Sequence, residues 1–226
     1  LMNSTVKSKR IDRREFVSTL LSQTPESLVV TGLGSAAYDV FAAGDRHTNY
    51  YLWGAMGGST SIGLGLALAQ PEKSVVVITG DGEQLMGIGS LGTIATKQPK
   101  NLTIVVLDNG HFGETGMQQS HSSLGADLVA ISKGFGIKDS ESISSMDECK
   151  KVVQRIKAKS GTAFVQVFID SNEPERALPP RDGPFIKNRF RAAFDWRGVR
   201  RAFNRAPWAC SFALILTLIF ALPLYF

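Results

Sequence analysis

The chain of 226 residues is long enough for one α/β domain with extras, and 43% hydrophobic with 20% charged residues is ordinary for a globular protein. Its net charge of +5 is uneven: residues 176–205 hold nine Lys/Arg against two Asp/Glu, leaving the rest near −2. The body thus offers no basic face for nucleic acid, and Cys149 and Cys210, in unrelated contexts, give neither a metal spacing nor a reason for a disulfide.

At the N-terminus, "STVKSKRIDRREF" has charge but no apolar stretch behind it, so no signal peptide is expected. "IDRREFVSTLLSQ" places Ile11, Phe16, Leu20 and Leu21 on one helical face. "SLVVTG" reads as a short buried strand, and "SAAYDVFAA" after Gly34 as a helix. "STSIGLGLALAQ" predicts a helix whose glycines and alanines allow close packing, with Pro71 as its stop. "KSVVVITG" and "NLTIVVLDN" are continuous apolar strands, the pattern of a parallel sheet covered on both faces. One helix is expected between them, from about Gln84 to Thr96. "MDECKKVVQRIKAK" then predicts a helix, "TAFVQVFID" a strand and "SNEPERALPPRDGP" a Pro-rich exit from the sheet. This alternation predicts an α/β fold, a doubly wound, mostly parallel sheet with helices on both faces.

After "IKNRFRAAF", which resembles the close of an amphipathic last helix, the composition changes. "ACSFALILTLIFALPLYF" (residues 209–226) has no charge and follows the basic "RGVRRAFNR". It reads either as a membrane anchor with a cytoplasmic basic flank or as a reading-frame extension past the natural end. The expected organisation is an N-terminal helix region over 1–28, a binding domain over 29–194 and the basic-then-apolar tail over 195–226.

Two strand ends carry the chemistry. "VVVITG" runs into Asp81-Gly82, and "NLTIVVLD" into Asn109-Gly110, 28 residues after Asp81. Ligands of such sheets bind outside the carboxyl ends of the strands. Magnesium takes hard oxygen ligands in octahedral geometry and commonly shares them with substrate phosphates. Asp81 offers a carboxylate, Asn109 an amide carbonyl and the backbone near His111 a third oxygen. Gly80 and Gly82 would let the chain turn and bring N–H groups to phosphate oxygens, and a helix starting near Glu83 would add its dipole. A second glycine turn, "GAMGGSTS" from Gly54 to Ser61, could bind the other phosphate.

This constellation resembles the diphosphate-binding half of thiamine diphosphate enzymes, in which Gly-Asp-Gly is followed after a helix and a strand by Asn. "GAMGG", "GLGLALAQP", "GDG" and "LDNGHFGETGMQQSH" look most like β-type subunits and C-terminal halves of sulfopyruvate and phosphonopyruvate decarboxylases. The resemblance implies that Asp81 and Asn109 ligate Mg2+ through side chains and His111 through its carbonyl. It also implies that Gly57, Gly58, Ser59, Gly80, Gly82 and Glu83 line thiamine diphosphate. Met56 would wedge under the bent cofactor, and the Gly54 carbonyl would receive its amino group.

In that family the cofactor is activated by a glutamate from a pyrimidine-binding domain, and about 50 residues before "GAMGG" are too few for one. The resemblance therefore implies an α-type pyrimidine-domain partner subunit, at least a heterodimer of dimers, and a small anionic 2-oxo acid as substrate. No catalytic residue is assigned within the chain, with His111, Glu114 and His121 as candidates. His47 stands close to where substrate would enter, Tyr50, Tyr51 and Trp53 read as core or interface aromatics, and Met86 as core. Glu83 alternatively reads as a first-turn acid that complements the helix dipole. The expected activity is decarboxylation in the cytoplasm, with membrane association only through residues 209–226. Carboligation, as in acetolactate synthases, and a non-catalytic, membrane-tethered cofactor-binding role are the alternatives.

Overall fold

In the computed structural model, residues 10–194 are described; the apolar tail with its two readings lies outside the described residues. Six parallel strands form the sheet in the order β2-β1-β3-β4-β8-β7. They are β1 (Leu28–Thr31), β2 (Asn49–Tyr51), β3 (Val75–Gly80), β4 (Leu102–Asp108), β7 (Asp139–Ile143) and β8 (Ala163–Phe168). The chain first builds outward from β1 to β2, then returns to β3 and builds the other way. Its topological switch point therefore lies between β1 and β3.

Helices cover both faces. Contacts join α1 (Arg13–Gln23), α2 (Ser35–Ala42) and α7 (Cys149–Ala158) in one layer, and α3 (Ser59–Ala69), α5 (Ser90–Lys97) and α6 (Leu128–Phe135) in the other. The short α4 (Asp81–Met86) follows β3 directly, and α8 (Gly183–Ala192) leans on β2. Local signals set these boundaries. Asp12 accepts the Glu15 N–H at 2.8 Å to start α1, and Asp127 and Asp182 cap α6 and α8 in the same way. The central strands are apolar throughout because both faces are covered: Val75, Val76, Val77, Ile104, Val105 and Val106 are fully buried. At about 1.5–3 kcal/mol per buried aliphatic side chain, this core is the main stabilising term.

The doubly wound sheet is as expected, and three details differ. The single helix expected over Gln84–Thr96 is two, α4 and α5, broken at Gly87-Ile88-Gly89. At the break, Gly87 lies against the Gly57 backbone so closely that a Cβ there would sit 2.1 Å from the Gly57 carbonyl oxygen. Met86 is not core but 64% exposed, because α4 ends there. Strands β2 and β7, helix α6 and a small hairpin of β5 (His111–Phe112) with β6 (Gln118–Gln119) add to the elements expected. Among the described residues no helix is long and apolar enough to cross a membrane.

Candidate functional site at the carboxyl edge

Because all six strands run parallel, the loops after β1, β2, β3 and β4 gather at one edge. β3 and β4 are neighbours, with Gly80 opposite Leu107, so Asp81 and the Asp108-Asn109 turn leave the sheet side by side. Asp81 is 2% exposed. Its Oδ2 accepts hydrogen bonds from the hydroxyls of Ser120 and, at 3.0 Å, Ser122. Burial pushes the Asp81 carboxyl above its ordinary pKa, the Asp108 charge adds to this, and the two hydroxyls oppose it.

The turn after β4 explains how those serines arrive. Asp108 Oδ1 accepts the Gly110 N–H at 2.8 Å, and Asn109 Oδ1 accepts the His111 N–H at 3.0 Å. Gly110 takes φ of +73°, a conformation that strains other residues. The chain then runs out along β5 and back along β6, and the Ser120 N–H donates to the Gly110 carbonyl at 2.8 Å. Ser120 is thus delivered, fully buried, to Asp81. Asp108 is otherwise occupied: Gln166 on β8 donates to its Oδ2 at 2.6 Å, and Ser122 lies 2.9 Å from its Oδ1.

The glycines of the two loops serve different ends. Gly82 has no strained φ; its missing side chain admits the Phe112 ring, which would stand 2.4 Å from a Cβ. Gly54 and Gly57 take φ of +77° and +86°, as a tight turn before α3 requires. Glu83 stands in the first turn of α4, and its side chain also reaches two neighbouring loops. It is 3% exposed, its Oε2 accepts the Leu33 N–H at 3.0 Å and its Oε1 the Gly57 N–H at 3.3 Å. A Cβ on Gly32 would lie 1.5 Å from Glu83 Oε2, so Gly32 makes room for this carboxylate. Glu83, following β3, therefore reaches across the switch point to the loop after β1 and also holds the loop after β2. Burial raises its pKa, against the hydroxyls of Thr79 and Ser59 and the two N–H groups.

Ser59 is buried at the start of α3, Gly58 half-buried and Met56 41% exposed at the rim. Tyr50 and Tyr51 are core, while Trp53 is half-buried and donates through Nε1 to the Pro180 carbonyl at 2.8 Å. Of the candidate acid–base groups, His111 is half-buried and its Nδ1 lies 2.9 Å from the Asn109 carbonyl oxygen. His121 is exposed, edge-on to Phe112 with ring centroids 6.4 Å apart. Glu114 covers the loop after β1, 3.4 Å from both the Ser35 hydroxyl and an Arg176 nitrogen. His47 precedes β2 and so lies at the amino edge of the sheet, away from Asp81; the expected nearness to substrate entry fails because β2 runs parallel to β1.

Among the described residues no three His, Cys, Asp or Glu side chains are grouped to hold a metal. A cation at Asp81 would therefore depend on mixed oxygen donors, which Asp81, the Asn109 amide and nearby backbone carbonyls could supply. Asp108, Ser120, Ser122 and Gln166 escaped the sequence reading. Asp108 had a signal, standing before Asn109 at a strand end; the serines are brought in only by the hairpin.

Residues 32–167 match the family model described as "Thiamine pyrophosphate enzyme, C-terminal TPP binding domain". The chain is 36% identical over 183 residues to sulfopyruvate decarboxylase subunit beta of Methanococcus maripaludis, covering 80% of this chain and 96% of that one. It is 34% identical over 186 residues to sulfopyruvate decarboxylase of Methanosarcina acetivorans, covering 81% of this chain and 47% of that protein. The chain thus spans about half of that longer relative. A thiamine diphosphate-dependent 4-hydroxybenzoylformate decarboxylase of Rhodococcus jostii RHA1 shares the fold, with a TM-score of 0.61 at 18% identity over 77% of this chain and 35% of that one. Glycine turns at the switch point, paired strand ends with Asp81 and Asn109, and a family match over most of the sheet agree: the chain belongs to the thiamine pyrophosphate enzymes and carries their C-terminal TPP-binding domain.

Proposed function

We propose that this chain is the diphosphate- and Mg2+-binding subunit of a thiamine diphosphate-dependent 2-oxo-acid decarboxylase, completed by a pyrimidine-domain partner subunit. The observation that carries the proposal is Asp81, a buried carboxylate at the end of β3, set beside Asn109 at the end of the neighbouring strand. The donors suit magnesium. They are hard oxygens, and Asp108 already accepts the Gly110 N–H and the Gln166 amide, whereas Asp81, met by serine hydroxyls on one oxygen, is left as the carboxylate for the cation.

When bound, thiamine diphosphate supplies a carbon nucleophile that attacks a 2-oxo acid and holds the electron pair left as CO2 departs. The chain's own part is to bind and orient. Asp81 and Asn109 would hold the cation with the His111 carbonyl, and the turns carrying Gly54, Gly57, Gly58 and Ser59 would line the cofactor. Glu83 would fix the spacing of two of the loops involved. The substrate proposed is a small 2-oxo acid with an anionic head, sulfopyruvate or phosphonopyruvate, supported by the relatives named for sulfopyruvate. The compartment proposed is the cytoplasm.

The test is co-purification from source cells, followed by assay of the complex with each 2-oxo acid. CO2 with one equivalent of aldehyde is expected; a longer hydroxy-oxo acid formed from two substrates with loss of one CO2, and no aldehyde, would make the activity carboligation. Asp81→Ala is expected to lose Mg2+-dependent thiamine diphosphate binding, and unchanged affinity would overturn the site.

A further inference from the structure

The side chains around Asp81 are arranged asymmetrically. Both serine hydroxyls reach Oδ2, and among the described residues no side chain is placed on Oδ1. Ser120 is fully buried and held by its own N–H on Gly110, so its hydroxyl has a fixed address. Ser122 stands 2.8 Å from the Ser120 oxygen, 3.0 Å from Asp81 and 2.9 Å from Asp108.

Counting protons sharpens the picture. Each hydroxyl carries one proton. Ser120 donates to Asp81, and Ser122, with its own single proton, can donate to only one of Asp81, Asp108 and the Ser120 oxygen at a time. Asp108 is compensated by the Gly110 N–H and the Gln166 amide; Asp81 has the serines alone among side chains. A buried carboxylate fixed on one oxygen by hydroxyl donors, with its other oxygen left to a cation, matches how ligating carboxylates are oriented by outer partners.

We propose that Ser120 and Ser122 are positioning residues for the divalent cation: they lock Asp81 through Oδ2 and present Oδ1 as its metal-facing oxygen. The β5–β6 hairpin is then part of the metal site, because it alone brings residue 120 back to Gly110. Ser122 stands within hydrogen-bonding distance of both Asp81, after β3, and Asp108, at the end of β4, and gives its one proton to either carboxylate. This inference rests on the reading of Asp81 as a metal ligand.

The test uses the full chain, in its complex where a partner co-purifies, with Mn2+ as an electron-paramagnetic probe and Mg2+ as competitor. Ser120→Ala and Ser122→Ala are expected to weaken Mn2+ binding about 10–100-fold each, the usual cost of losing an outer partner. Ser122→Thr keeps the hydroxyl and is expected to restore wild-type affinity. Metal-free Ser122→Ala, at a half-buried position, is expected to melt close to wild type, which separates orientation from folding. Unchanged affinity in both alanine variants would overturn the inference, leaving the serines as packing. Tighter binding would also overturn it, since the hydroxyls would then fill the cation's own seat. If wild type itself binds no Mn2+ or Mg2+, the metal-site reading falls first and the inference falls with it.

Discussion

At the scale of the residue, burial raises the pKa of the Asp39 carboxyl, and the guanidinium groups of Arg13 and Arg14 oppose that shift. Asp39 on α2 is 1% exposed and receives Arg13 and Arg14 of α1, each with Nε 2.7 Å from a carboxylate oxygen. Arg14 also donates to the Glu175 carbonyl at 2.6 Å, so the cluster joins two helices to the exit segment after β8. Removing one member of a buried pair leaves the other charge uncompensated at a cost of about 3–5 kcal/mol. Arg13 is itself 4% exposed, so Asp39→Asn is expected to cost about 3 kcal/mol, read from urea midpoints at constant m. A loss below about 0.5 kcal/mol would show that water reaches Arg13. Cys149 gives the opposite kind of residue. It is 1% exposed, and burial pushes its thiol up to about 11. Its peptide is expected to stay unalkylated by iodoacetamide at pH 8 in the native chain and to react fully after unfolding.

At the scale of the element, close approach governs the layer that carries the glycine turns. Gly63 in α3 faces Val77 of β3, and a Cβ there would stand 2.2 Å from the valine Cγ2. Gly63→Ala would gain about 0.5–1 kcal/mol of helix propensity but lose about 1–3 kcal/mol to overpacking. The expected net effect is a melting temperature lower by a few degrees, and a rise would mean that α3 can lift off the sheet freely. This close packing was legible in "STSIGLGLALAQ", as were the long strands β3 and β4, because continuous apolar runs and small residues report burial directly. The short polar edge strand β7 was not legible, since only Ser140 and Ile143 of its five residues are buried. Nor was the split between α4 and α5, because it answers a backbone contact of Gly87 with Gly57 that has no local signature. In the site, Asp81 and Asn109 stood out by spacing. Ser120 and Gln166 did not, because their approach depends on a hairpin and on β8 lying next to β4.

At the scale of the whole molecule, the carboxyl edge concentrates buried negative charge. Asp81, Glu83 and Asp108 are each nearly inaccessible and, among the described residues, are met by hydroxyls, amides and backbone N–H groups rather than by Lys or Arg. The hydrophobic sheet supplies the stability that this arrangement consumes, and a bound cation would return part of it. Saturation at 100 times the dissociation constant adds about 2.7 kcal/mol, so Mg2+ with thiamine diphosphate is expected to raise the melting temperature by about 5–10 °C. The metal-free chain carries a proton signature of the same design. Glu83 has a native pKa above the ordinary 4.5, so between those two values the folded chain binds more protons than the unfolded one. Its contribution to stability is fully present below pH 4.5 and is lost as pH rises through the native value. Wild type without metal is therefore expected to lose stability more steeply than Glu83→Gln, whose side chain does not titrate, as pH rises above 4.5. Urea denaturation across that range reads the two slopes, and parallel slopes would mean that Glu83 stays ionised at no cost inside its ring of donors.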